Sequence, residues 1–396
     1  MSEHRWAATA LLLLLACEAD PLTPADGPLE SVKPVVSIQS VAPPPPVIAS
    51  DEPPPPVVEP RCAPPSLALT GPLDARDEAA LEPCRSASTG PAAAARRCGQ
   101  GDPAPPLALE RLHQALVPFD AATRERVLKV AQKGKELGRD LRSFGLVGDS
   151  MTVSSAFMRP LADLKQTVLA PPVAKALFSE HAGGTILDFF RGAPAQRWQG
   201  QSRDAFEATR AAKVGGRADW ALQGGAMSPL SRMVDQLSPA IAIVLFGGND
   251  AAYRIGAFAE IAADFERDML AIVEALESRG VVVVLNTVAR HGDSGYRDCA
   301  GEREMSDWRL AVQTNLLSAK VAELACREHL PLIDVRHAMD AGVNHGLGPD
   351  GVHPSAYPKG AAVLDARGLA CGYNIRNYVT LAMLGRLVDL IGPSLE

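Results

Sequence analysis

Phe144-Gly145-Leu146-Val147-Gly148-Asp149-Ser150 is the stretch whose reading decides the fold. An apolar run stops at a glycine. An acidic residue and a serine follow, and Met151-Thr152-Val153 then leads into a helix-compatible segment. This pattern predicts a buried strand, a tight turn and a serine at or near a helix N-terminus. Backbone N–H groups point into such a turn, so a serine there stands beside donors suited to an oxyanion. Gly-Asp-Ser is also an ordinary turn sequence, so the tripeptide alone decides nothing about chemistry.

The segments downstream set the fold class. Ala240-Ile241-Ala242-Ile243-Val244-Leu245-Phe246 is an unbroken apolar run, as expected of a central parallel strand. Phe258, Ile261, Phe265, Met269, Ile272, Val273 and Leu276 recur at helical spacing, and Gly280 supplies the stop signal. Residues 281–285 read as another buried strand and residues 307–329 as a helix. Pro331-Leu332-Ile333-Asp334-Val335 reads as a fourth strand, and Thr185-Ile186-Leu187-Asp188-Phe189-Phe190 as a further one. Strands alternating with helices of this length predict an α/β domain whose parallel sheet is covered on both faces. In such sheets the ligand site lies at the carboxyl ends of the strands.

Those ends carry the chemistry-bearing residues. The first strand runs into Gly148-Asp149-Ser150, and the apolar run to Phe246 ends in Gly247-Gly248-Asn249-Asp250. Gln223-Gly224-Gly225-Ala226-Met227-Ser228 is a small-residue turn just before that run. Asp350-Gly351-Val352-His353-Pro354 follows the last strand. Singly, Asn249 reads as a turn residue, Gly225 as a helix stop and His353 as a surface histidine. Together, in order and at one predicted rim, they read as a site. A serine hydroxyl is a poor nucleophile without a base in reach. An imidazole takes and returns a proton near neutral pH. An aspartate three residues before it can hold the ring tautomer.

This combination resembles the SGNH hydrolases, also called GDSL esterases, from roughly Leu141 to the C-terminus. The resemblance implies a three-layer α/β/α sandwich with a parallel, flavodoxin-like sheet. It implies a serine esterase that works through an acyl-serine and needs no cofactor or metal. It assigns Ser150 as nucleophile, His353 as base and Asp350 as its partner. The oxyanion hole would be the N–H groups of Ser150 and Gly225 with the Asn249 amide, Gly224 being the alternative glycine. The spacing from Ser150 to Gly225 exceeds the family's usual one, so an insertion at about residues 169–213 is expected to decorate the site. A metal held by His345, Asp350 and His353 is the competing chemistry, and it leaves the serine, the glycine turn and the amide unexplained. His291, His329 and His337 read as surface or loop residues, and Asp149 and Asp250 as braces of their loops. Asn374-Ile375-Arg376-Asn377-Tyr378 opens a leucine-rich helical pattern that reads only as a last helix packed on the sheet.

The remainder of the 396 residues bounds the setting. A formal charge of −7 without a basic block argues against nucleic acid as a partner. Residues 7–16 are apolar, include five consecutive leucines and are too short to span a bilayer. They end in Leu14-Leu15-Ala16-Cys17, which resembles the lipobox of bacterial lipoproteins. That resemblance implies a signal peptide at 1–16 and a lipid on Cys17. With Glu18 next, it also implies outer-membrane sorting within the cell envelope. Residues 17–106 hold proline runs at 43–46 and 53–56 and are expected to be a disordered tether, with the folded domain at 107–396. Beyond Cys17, Cys62, Cys84, Cys98, Cys299, Cys326 and Cys371 make an even set for disulfides, with at least one bridge expected from tether to domain. Cys326 lies in a helical pattern and reads as packed. The expected partner is an ester on a small molecule, a glycan or a lipid. The alternatives are a catalytically weak glycan-binding or envelope-assembly module, or an acyl transferase, on the same scaffold.

Overall fold

The computed structural model describes Cys98 and residues 109–192, 196–198, 201–203, 206, 211–291 and 306–396. All of them lie in one compact unit, Val58–Glu396. The expected signal segment, Cys17 and the proline-rich stretch lie outside the described residues, Cys98 excepted.

The central sheet has four strands: β1 (Asp140–Gly148), β2 (Pro239–Leu245), β3 (Val282–Asn286) and β4 (Leu332–Ile333). They lie in the order β1-β2-β3-β4, and every pairing is parallel. On the free side of β1, Ala212 bridges Gly148 in parallel. The Gly148 N–H donates to the Ala211 carbonyl, and the Lys213 N–H donates to the Gly148 carbonyl, both at 3.0 Å. Counting that segment as the second strand in chain order gives the flavodoxin-like order 2-1-3-4-5.

Alternation along the strands builds two separate cores. Phe144, Leu146, Ile241, Ile243, Leu245, Val282, Val284 and Ile333 point to one face. Val147, Ala242, Val244, Val283, Leu285 and Leu332 point to the other. The first face is covered by α1 (Ala121–Glu136) and α5 (Gly372–Leu395). The second is covered by α2 (Pro229–Leu237), α3 (Phe258–Glu277) and α4 (Ser306–Arg327). Each fully buried aliphatic side chain contributes about 1.5–3 kcal/mol relative to exposure. A parallel sheet buried on both faces is why the strands read as continuous apolar runs.

Two predicted strands come out differently. Of residues 185–190, only Thr185 extends, paired within a two-residue hairpin arm, and Ile186–Arg191 is a helix. Thr185 Oγ1 accepts from the Asp188 N–H at 3.2 Å, and Ile186, Leu187 and Phe190 fill one buried face. The fourth strand holds only Leu332 and Ile333. The Asp334 N–H turns away to the Ala115 carbonyl at 2.7 Å, and the Asp334 carboxylate caps the helix Val335–Met339.

α5 is long and apolar enough by composition to cross a membrane, yet every residue from Gly372 to Gly385 is buried in this domain. Its apolarity is that of a core helix. A disulfide joins Cys371, just before α5, to Cys98 across 273 positions, linking the N-terminal stretch to the domain. Cys326 is also disulfide-bonded and is not the packed thiol its helical setting implied.

Candidate active site

β1 delivers Ser150 to the carboxyl end of the sheet. The Asp149 carboxylate accepts from the Met151 N–H at 3.0 Å and so caps the one-turn helix Ser150–Val153. The turn is possible because residue 148 has no side chain. A Cβ there would lie 2.4 Å from both the Leu245 carbonyl oxygen and Thr152 Oγ1.

Ser150 Oγ lies 3.0 Å from His353 Nε2, and His353 Nδ1 lies 2.7 Å from Asp350 Oδ2. The other Asp350 oxygen accepts the N–H groups of Val352 and His353, each at 3.0 Å. Burial pushes the Asp350 carboxyl up, but the His353 ring and these N–H groups outweigh it and hold it at about 2. Asp350 is therefore a carboxylate at neutral pH, and Nδ1 must be the protonated nitrogen facing it. Nε2 then carries the lone pair and the serine hydroxyl donates to it. The hydrogen bond to Asp350 raises the His353 pKa above its ordinary value, with burial opposing. The His353 and Asp350 side chains are 43% and 52% exposed, so base and acid stand at an open rim.

Asn249 sits in the short helix Gly248–Tyr253 after β2, and its Nδ2 donates to the Gly216 carbonyl at 3.1 Å. That leaves one amide hydrogen for another acceptor. Buried Asp250 holds the two segments together. Its oxygens accept the Ala218 N–H at 3.2 and 3.3 Å, and it pairs with Arg254 at 2.9 Å. Arg254 continues to Asp268 at 2.5 Å.

Asn249 makes this hydrogen bond to neither of the expected glycines, Gly224 or Gly225. Gly225 is exposed in the loop before α2, and its carbonyl accepts from the Ser228 N–H and Ser231 Oγ. The glycine that meets Asn249 is the buried Gly216. Its own N–H donates to the Lys213 carbonyl at 3.0 Å within the turn. The Gly215-Gly216 pair was the available signal, but Ala211-Ala212-Lys213 is too short to read as a strand before it.

The profile of the GDSL-like lipase/acylhydrolase family matches residues 178–357. Over those residues the chain is similar to a GDSL-like lipase/acylhydrolase domain. Asn249, Asp350 and His353 lie inside the match, and Ser150 lies before it. Among solved structures, a lipase/acylhydrolase from Enterococcus faecalis is 18% identical with a TM-score of 0.35, covering 62% of this chain and 95% of that one. A GDSL-like lipase from Bacteroides thetaiotaomicron is 15% identical with a TM-score of 0.36, covering 67% of this chain and 99% of that one. No curated protein matches the chain by sequence.

His291, expected at the surface or in a loop, lies in a loop but is not at the surface. It is 4% exposed and packs where a side chain on Gly248 would stand, 2.4 Å from its Cε1. Both ring nitrogens lack a hydrogen-bond partner. Burial pushes its pKa down to about 4, so it is neutral at pH 7. His345 turns to Asp340 at 2.9 Å rather than to Asp350.

The first turns of α5 carry a function the sequence did not disclose. Asn374 Oδ1 accepts the Tyr357 N–H at 3.1 Å, and its Nδ2 donates to the Gly360 and Val363 carbonyls at 3.0 and 2.8 Å. Those groups belong to the segment that follows His353. Arg376 donates to the Met151 carbonyl at 2.8 Å and to Thr152 Oγ1 at 3.2 Å, with its guanidinium 3.6 Å from the Phe157 ring centroid. Asn377 does both: its Oδ1 accepts from the Met158 N–H at 2.8 Å, and its Nδ2 donates to the Ala156 and Ala361 carbonyls, each at 3.0 Å. One helix face thus stitches the serine segment to the histidine segment. Burial pushes Asp149 up to about 6, against the Met151 N–H and the Arg376 charge. Burial also lowers Arg376 to about 10, which leaves it cationic. Polar residues inside an apolar helical run were the visible signal.

Asn377→Leu is expected to cost about 1–3 kcal/mol for each backbone group it leaves buried and unpaired, measured by urea denaturation. A total loss below about 1 kcal/mol would show that the stitch carries no weight.

Proposed function

We propose that this GDSL-like domain is a serine esterase that removes O-acetyl or other short acyl groups from an envelope glycan or lipid. Ester hydrolysis in general is the activity of the family it resembles; the acyl group and the carrier are the proposed part. The observation that supports Ser150 as nucleophile is the unbroken chain from its hydroxyl through His353 to ionised Asp350.

In the first half-reaction, Ser150 Oγ bonds to the ester carbonyl carbon while His353 Nε2 takes the hydroxyl proton. The carbonyl oxygen becomes an oxyanion facing the Ser150 N–H and the free Asn249 amide hydrogen. Removing one such donor typically costs about 2.7–4 kcal/mol of barrier. The carbonyl re-forms, the carbon–oxygen bond to the alcohol breaks, and the alcohol leaves with the proton from Nε2. Water then attacks the acyl-serine, gives its proton to Nε2, and releases the acid with Ser150 regenerated. Asp350 keeps its charge throughout and stabilises the imidazolium.

The open rim around His353 and Asp350 favours an ester presented on a larger molecule over one enclosed in a deep cavity. Cys17 as a lipid anchor, followed by a proline-rich tether extending about 3.1 Å per residue, would place the domain near such carriers in the envelope.

The full-length protein is expected to hydrolyse p-nitrophenyl acetate, and Ser150→Ala to lower kcat by about 10³-fold or more. Equal, near-background release from both proteins defeats the proposal. The pH profile follows from the direction of the His353 shift. The neutral ring is the base and its pKa is raised, so kcat/KM should climb with pH through an inflection above about 6.5. Asp350→Asn removes the acceptor that causes the shift, so the inflection should move down as the rate falls. A wild-type inflection below about 6.5 contradicts the assigned base.

A further inference from the structure

We propose that a cationic cleft flanking the histidine loop binds the carboxylate or phosphate of an acidic saccharide that carries the scissile ester. This rests on the esterase reading and specifies its substrate class.

The cleft has a volume of about 480 Å³. Lys165, Lys359 and Arg367 line it with Gln166 and Tyr357, and Asp365 is its single carboxylate. Three cations against one acid contrast with a formal charge of −7 for the whole chain. Asp365 is already engaged, since one of its oxygens accepts the N–H groups of Arg367 at 3.0 Å and Gly368 at 2.8 Å. Asp163, close in sequence, is turned onto the Lys165 N–H at 2.8 Å and the Gln166 amide at 3.0 Å. Among the described residues, no carboxylate forms an ion pair with Lys165, Lys359 or Arg367. Like charges held at one concave site repel one another, and an anion between them relieves that repulsion.

The walls are built into the fold. Val168 and Val363, which also line the cleft, pair in a short parallel ladder. Tyr357 is buried, its N–H is fixed by Asn374, and it packs with Val363 on the Cys98–Cys371 disulfide. Gln166 adds an amide carbonyl suited to sugar hydroxyls. Tyr357 follows His353 by four residues, so their Cα atoms are at most about 14 Å apart. A short oligosaccharide spans that distance, with its acyl ester at Ser150 and its anionic group in the cleft. The cations are exposed and act as long-range charges. They should therefore lower KM for charged carriers and leave the chemical step alone.

The test uses the full chain and the triple variant Lys165→Ser/Lys359→Ser/Arg367→Ser. Retention by unesterified polygalacturonate, phosphomannan and uncharged xylan is read by affinity electrophoresis. Turnover of p-nitrophenyl acetate and of the chemically O-acetylated polymers is measured in parallel. The wild type should be retained by polygalacturonate, phosphomannan or both, and not by xylan. Which of the two retains it identifies carboxylate or phosphate as the group. The triple variant should lose about tenfold in retention and in kcat/KM on that polymer, through KM, with nitrophenyl acetate turnover within about twofold. Should the triple variant lose its circular dichroism spectrum, Lys359→Glu alone is expected to weaken retention in the same direction. No preference of the wild type for either anionic polymer over xylan, or equal retention by wild type and variant, overturns the inference. Binding is read on unesterified polymer, so a failure of the esterase reading shows only as absent nitrophenyl acetate turnover.

Discussion

The hydrogen bond between Ser150 and His353 joins residues 203 positions apart, and it holds only while two loops keep their places. Each loop has bonds of its own, from Asp149 to the Met151 N–H and from Asp350 to the Val352 and His353 N–H groups, but these do not tie one loop to the other. The serine follows a one-residue cap at the end of β1, and the histidine sits on a half-exposed segment beyond the last strand. Their common support is the first two turns of α5, where Asn374, Arg376 and Asn377 satisfy backbone groups from both sides. Buried backbone groups without partners are costly, so each of these bonds restricts where the loops can rest.

The same logic explains the buried charges. Asp149, Asp250 and Arg376 are each at most 1% exposed, and removing ions from water costs several kcal/mol. Each is matched by local groups: Asp149 by the Met151 N–H, Asp250 by Arg254 and the Ala218 N–H, Arg376 by the Met151 carbonyl and Thr152. Asp149 follows the carboxyl end of β1 directly, Asp250 stands in the short helix Gly248–Tyr253 after β2, and Arg376 reaches the first of these from α5. The sheet supplies the scaffold, and these polar contacts supply the registration that places a base against a hydroxyl.

Much of this was legible in the sequence, for physical reasons. β1, β2 and β3 are covered on both faces, so their apolar runs have no competing reading. The Ser150, Asn249 and His353 segments stand out because turn-forming residues interrupt those runs at one rim. Thr185 to Phe190 misled because β-branched and aromatic residues suit a strand and a buried helix face equally. Asp334 ended β4 through a bond to Ala115, a contact far from it in sequence. Gly216 as the partner of Asn249 was hidden because the segment before it meets the sheet by a single bridge at Ala212, while Gly225 lay in a more obvious glycine turn. Asn374, Arg376 and Asn377 were visible as polar anomalies, but the backbone groups they satisfy are a matter of tertiary structure alone.

The central claim is that Ser150 is an activated nucleophile, and covalent trapping tests it most directly. The full-length protein is treated with diisopropyl fluorophosphate, digested, and mapped by mass spectrometry. The account requires a single diisopropylphosphoryl group on Ser150, and its loss when His353 is replaced by alanine. Labelling of another serine with loss of esterase activity, or equal labelling of Ser150 in the His353→Ala protein, would contradict it.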